Sequence, residues 1–159
     1  ITGLFTVLVE ADDMNDPIAD AVRSILDGHI VLSRELATQN HYPAIDVLES
    51  VSRLNRDLLS PDQLALTAAA REHLAIHRKN QDLIAIGAYP AGSNPAIDRA
   101  IALHDPLNRF LRQGVTEGCE AGRSWSLLKE TLARDAGPGT NPKPEVRNPK
   151  EPPLVSRKS

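Results

Sequence analysis

The sequence predicts an α/β fold in two parts: the trailing edge of a parallel sheet over residues 1–59, then a C-terminal helical domain over 60–135. Three observations predict it. Thr2 to Val9 is a continuous β-rich run, as a strand buried on both faces of a parallel sheet requires. Ser60-Pro61-Asp62-Gln63 is a capping box with proline at the first helical position, and it opens the longest helical pattern in the chain. No second β run as long as the first follows, so most of the sheet is expected upstream of Ile1.

After the first strand, Glu10 to Asp16 carries four acidic groups and reads as a loop at the strand's C-terminal edge, where α/β sheets bind ligands. Such acids could hold Mg²⁺, although solvated turns have the same composition and a metal here would need a phosphate partner. Pro17 to Leu26 has apolar residues at helical spacing, with Asp16 as N-cap and Pro17 at the first position. Asp27-Gly28 ends that helix, His29 to Leu32 is a short strand, and Ser33 caps a helix to Thr38 that Asn40 breaks. Ala44 to Val51 is apolar and partly β-branched, as a short buried strand or extended segment would be.

The long helix runs from Pro61 to about Ile86, with Leu66, Ala70 and Leu74 in one stripe, Arg71-Glu72 and Arg78-Lys79 on the solvated side, and Gly87 as the stop. His73 and His77 share a face, but no third ligand stands at zinc spacing, so no metal is assigned. Residues 88–93 form a turn. Asn94-Pro95 caps a helix through Leu103, and Asp105-Pro106 caps another through Gln113. Gly114 to Gly122 is a loop containing Cys119, and Ser124 to Arg134 is the last helix, with Trp125, Leu128 and Leu132 inward. Ala136 to Ser159 holds half of the prolines and few apolar residues, so it is predicted to be a disordered tail.

Composition excludes several function classes. A net charge of −3 over 159 residues argues against a nucleic-acid partner. The single cysteine cannot form an internal disulfide, which fits a reducing, cytoplasmic setting. No apolar run approaches a membrane span, no signal peptide opens the sequence, and a start at Ile1 suits part of a longer gene product.

The stretch from His41 to Arg53 organises the rest. Pro43 biases Tyr42 towards an extended backbone, and Arg53 stands where the following segment leaves the core. A held ring and a guanidinium at a rim suit base stacking and phosphate charge, though from these residues alone a packed tyrosine and a surface arginine are the commoner reading. This stretch, with Asp27-Gly28-His29-Ile30-Val31-Leu32-Ser33-Arg34 and Ala11-Asp12-Asp13-Met14-Asn15-Asp16-Pro17-Ile18-Ala19-Asp20 before it, resembles the flagellar and type III secretion ATPases, relatives of the catalytic subunit of rotary ATP synthases. The likeness runs from Ile1 to about Arg134 and matches the C-terminal part of such a protein.

The resemblance implies a RecA-like sheet edge and particular site residues. Tyr42 matches the aromatic that stacks on adenine, and Phe110 matches an aromatic lining that pocket from the helical domain. The synthases' second aromatic falls at Val115, so the pocket has one ring fewer. Arg53 matches the arginine finger, which acts in trans on the neighbouring subunit's γ-phosphate. Ala11 stands where the family usually has glycine, and Asn55 where it usually has methionine.

The implied whole is a homo-hexameric ATPase using ATP with Mg²⁺, energising flagellar or type III protein export. Its implied partners are an export stalk protein, met by the turn from Ala88 to Asp98, and export chaperones or substrates; peripheral membrane association through the export apparatus is compatible with this. No G-x-x-x-x-G-K-[ST] phosphate loop occurs, so the 159 residues alone are expected not to hydrolyse ATP. Two other readings share these features: a nucleotide-independent helical module that binds a stalk or chaperone, and a proton-driven synthase subunit. Asp27-Gly28-His29 and Met14-Asn15-Asp16-Pro17 favour the export branch over the last.

Overall fold

The computed structural model describes residues 3–9 and 17–133. The acidic loop with Ala11, the Asp16 cap and the proline-rich tail lie outside the described residues.

Helix α1 (Pro17–Ile25) leads to strand β1 (Gly28–Leu32), helix α2 (Arg34–Thr38) and strand β2 (Ile45–Ser52). Ser33 caps α2 by accepting from the amide of Leu36, and Asn40 then turns the chain at φ 55°. β1 and β2 pair antiparallel and are the only sheet among the described residues. Residues 3–9 form no strand, and Leu4, Phe5 and Leu8 are exposed. The strand expected there is therefore not formed in this structure. A buried parallel strand exists only by exchanging hydrogen bonds with neighbours, and no described segment lies beside it.

A short helix, α3 (Asn55–Leu58), joins the sheet to α4 (Pro61–Ala85). Both halves of the predicted capping box form: Ser60 accepts from the Gln63 amide, and the Gln63 side chain accepts from the Ser60 amide. Gly87 ends the helix at φ +67°, a backbone conformation that favours glycine.

Helix α5 (Pro95–Leu111) is one element, not the two that Asp105-Pro106 predicted. Ala100, Leu103 and Leu107 make one buried stripe running past Pro106, and that packing outweighs the local break. The carbonyl that Pro106 cannot bond belongs to Ala102, on the exposed side, where water can take the place of the missing donor.

Helix α6 (Ala121–Ala133) starts three residues earlier than its apolar spacing suggested and buries Leu128 and Leu132. These side chains meet Leu103 and Leu107 in the core, with Leu66, Ala70, Leu74, Phe110 and Trp125 packed around them. Each fully buried leucine contributes about 1.5–3 kcal/mol. The core therefore lies between α4, α5 and α6, while Ile25, Ile30 and Leu32 of the sheet part stay exposed.

Candidate functional site

Tyr42 and Arg53 stand at opposite ends of β2. His41, buried among α2 and its surroundings, donates its backbone amide to the carbonyl of Leu36 and so fixes where the next residue leaves. Burial holds its imidazole below the ordinary value of 6.5, and the nearby Arg112 guanidinium adds to the shift. Tyr42 is 51% exposed, precedes Pro43 through a cis peptide bond, and accepts at its carbonyl from the amide of Gln113 at 2.9 Å.

That bond places Tyr42 against the end of α5, where Phe110 lies three residues before Gln113. Phe110 is half-buried against the leucine core and lines an open depression of about 430 Å³ with Arg109, Arg112, Gln113 and Cys119. The structure thus brings Tyr42 and the Phe110 segment together. It leaves Val115 fully exposed in the α5–α6 loop, apart from that lining. A half-exposed phenol ring and a phenylalanine beside two guanidinium groups fit a flat, anionic ligand. Among the described residues no Gly-rich loop followed by lysine offers a phosphate cradle.

Arg53 follows the last rung of the sheet. Its amide donates to the carbonyl of Asp27 at 2.8 Å. Here β1 and β2 approach so closely that a Cβ on Gly28 would sit 2.6 Å from the carbonyl oxygen of Val51. The Arg53 guanidinium is exposed and donates to the carbonyl of Arg23 at 3.4 Å, a long bond that a better acceptor could displace.

Between these ends β2 departs from regular pairing. His29 pairs with Val51 and Val31 with Asp46, so the single residue Ile30 faces the four residues 47–50. The ladder cannot satisfy the backbone of such a bulge, and side chains do so instead. Asp46 Oδ1 accepts from the amides of Leu48 (2.9 Å) and Glu49 (3.1 Å). Ser50 Oγ donates to the carbonyl of Asp46 at 2.6 Å and accepts from the amide of Val31 at 3.0 Å. His29 Nε2 lies 3.1 Å from the carbonyl of Glu49. Arg71 of α4 donates to the carbonyls of Val47, Leu48 (3.0 Å) and Ser50 (3.2 Å).

Arg78 adds ion pairs to Asp46 (2.6 Å) and Glu49 (3.2 Å). Burial pushes the Asp46 carboxyl up, but the Arg78 bond and the two amides outweigh it and leave the group below 3.8. Arg71 was expected on the solvated side, and this is corrected: it is part-buried against β2, whereas Arg78 stays exposed while pairing with the two acids. The two arginines are seven residues apart, hence on one helix face, and Asp46 and Glu49 are the acids that could have signalled it.

Two further clusters lie in the helical part. His77 of α4 and His104 of α5 stack at 3.5 Å, with Asn108 Nδ2 2.9 Å from His104 Nε2. No group of three or more metal-binding side chains occurs among the described residues. In the turn before α5, the Asp98 carboxylate accepts from Tyr89 Oη and the Gly92 amide, each at 3.1 Å, while Asn94 caps the helix.

Residues 59–130 match the family model described as the T3SS EscN ATPase C-terminal domain, and residues 1–52 match the nucleotide-binding domain of the ATP synthase alpha/beta family. The chain is 53% identical over 117 residues to a flagellum-specific ATP synthase of Treponema pallidum, covering 74% of the chain and 26% of the relative. It is 50% identical over 117 residues to a type 3 secretion system ATPase of Pseudomonas syringae pv. tomato, with the same shares. The chain therefore spans about a quarter of the length of these relatives. Its fold matches the assembled ATPase EscN of enteropathogenic E. coli at TM-score 0.76 and 39% identity, over 80% of the chain and 31% of that structure. EscN in complex with its central stalk EscO matches at TM-score 0.70 and 38% identity, over 74% and 29%. The α/β part followed by a helical part is the arrangement these structures share with the chain.

Proposed function

The chain belongs to the flagellar and type III secretion ATPases and corresponds to their C-terminal part, and from that premise we propose that it supplies two supporting elements of a hexameric export ATPase. Tyr42 and Phe110 receive the adenine of ATP bound, with Mg²⁺, by the subunit's own phosphate loop. Arg53 serves as the finger for the adjacent subunit's nucleotide. The division falls between residues 59 and 60. The whole is a cytoplasmic homo-hexamer that drives protein export and meets a stalk protein, chaperones and export substrates.

The observation that carries this reading is the placement of Tyr42 and Arg53 at opposite ends of one strand, with Tyr42 tied through Gln113 to the segment that bears Phe110. Two groups so separated suit two different nucleotide sites. The exposed guanidinium of Arg53, held by a long bond, suits a group that leaves its resting place when a phosphate of the neighbour approaches. ATP supplies the phosphoryl chemistry. The residues of this chain orient the base and place fixed positive charge.

The Tyr89–Asp98 turn favours contact with a stalk, because its own hydrogen bonds hold it in shape before a partner arrives. It is also the feature that would carry the alternative reading, a nucleotide-independent interaction module.

The test is the contrast between two variants in the complete ATPase carrying this sequence. Tyr42→Ala should weaken nucleotide binding, since stacking acts before and during reaction. Arg53→Ala should leave binding intact and lower kcat by roughly 10³-fold or more. Equal effects of both variants on binding would refute the assignment.

A further inference from the structure

Resting on the reading of Arg53 as a finger, we propose that Arg71 is a positioning residue for it, carrying the placement of α4 to the end of β2. Three observations support this. First, the four residues 47–50 opposite Ile30 lie immediately before the last two rungs of the sheet, Val51 and Ser52, after which Arg53 emerges. Any change in how the bulge is folded shifts those rungs against β1 and moves Arg53 with them.

Second, Arg71 grips three of the four bulge carbonyls, Val47, Leu48 and Ser50, and is itself part-buried. A planar guanidinium with donors in a fixed fork can hold several carbonyls in one arrangement, whereas an ammonium on a flexible stem cannot. The fourth carbonyl, of Glu49, is met by His29 from β1, so the bulge is clamped from the helix on one side and the sheet on the other. Third, α4 is fixed independently of β2: it packs against α5 and α6 around Leu103 and Leu107. The clamp therefore refers the position of Arg53 to the rigid helical core, with Arg78 holding Asp46 at the start of the bulge.

A finger acts only when its charge stands where charge develops in the transition state, and misplacement by an ångström can cost about 10²-fold. Arg71 touches no reacting group, so its effect should pass entirely through Arg53. The experiment is a double-variant cycle in the complete ATPase carrying this sequence, reading kcat and nucleotide KM for Arg53→Ala, Arg71→Ala and the pair. Arg71→Ala is expected to lower kcat by roughly 10–100-fold with KM unchanged, and the double variant should be no slower than Arg53→Ala alone. Arg71→Lys, which keeps the charge and the stem, should fold and still turn over more slowly.

A double variant slower than Arg53→Ala alone would overturn the proposal, because Arg71 would then act through something else. So would full kcat in a folded Arg71→Ala, or in Arg71→Lys should Arg71→Ala not fold. With Arg53→Ala itself slowed roughly 10³-fold or more, those outcomes sink only the positioning role. Normal turnover by Arg53→Ala would sink the finger itself and the positioning role with it.

Discussion

Replacing Leu103 by alanine tests where the stability of this chain resides. Leu103 is 1% exposed and sits between Leu107 on its own helix and Leu128 and Leu132 on α6, with α4 closing the third side. Three helices hold the walls of the site, so the space left by the lost methyl groups cannot close fully. Leu→Ala at such a position costs about 2–5 kcal/mol, and the lack of room to relax argues for about 3 kcal/mol or more. For a cooperative unit of this size each kcal/mol lowers Tm by about 4–8 °C, so Leu103→Ala should melt roughly 12–24 °C below the parent. Leu83→Ala, on α4 outside the core cluster and 48% exposed, should move Tm by only a few degrees. Far-UV circular dichroism melts of the three proteins decide the matter. Equal shifts for Leu83→Ala and Leu103→Ala, or a Leu103→Ala melt close to the parent's, would refute the account of the core.

The remaining predictions concern pH and the preformed turn. Burial holds His73, His77 and His104 below 6.5, with Arg99 adding at His73 and His104 at His77, and Glu72 and Asp105 partly opposing. A lowered histidine value means full stability above the unfolded value and loss as pH falls from about 6.5 through the folded values, so Tm at about pH 5 should lie below Tm at about pH 7.5. Thermal melts that are flat across that interval would contradict it. Asp98→Ala removes the acceptor shared by Tyr89 and Gly92 and should speed amide exchange at Gly92 roughly tenfold without altering the melt of α4–α6. Unchanged exchange at Gly92 would show that the turn holds without it.

How much of this was legible in the sequence depends on the range of the interaction concerned. Features closed within one turn of chain were readable. Ser60 with Gln63, Ser33 with Leu36, and Gly87 at positive φ each form as their residue types predict, because both partners lie within a few positions. The stripe of Leu128 and Leu132 was readable for the same reason.

What failed was decided by long-range contacts. Asp105-Pro106 carries a strong local signal for a helix start, yet α5 passes through it because its buried face is continuous with partners on α4 and α6. Arg71 and Arg78 look like solvated charges on an amphipathic helix. Only the three-residue excess of β2 over β1 creates the unpaired carbonyls that Arg71 meets and brings Asp46 and Glu49 to Arg78, and that excess is visible in the pairing, not in the composition. Tyr42, Phe110 and Arg53 came from resemblance. The backbone bond from Gln113 to Tyr42 joins the first two, while β2 separates the third from them.

The most direct measurement of the central claim uses mixed hexamers of the complete ATPase. One population carries Arg53→Ala and keeps its phosphate loop. The other keeps Arg53 and lacks the loop's lysine. Each alone should be inactive. If Arg53 acts across the subunit boundary, a mixed hexamer places intact arginines beside intact nucleotide sites, and the mixture should recover measurable ATP hydrolysis. A mixture that forms hexamers and stays inactive, or an Arg53→Ala population that turns over normally by itself, would contradict the account.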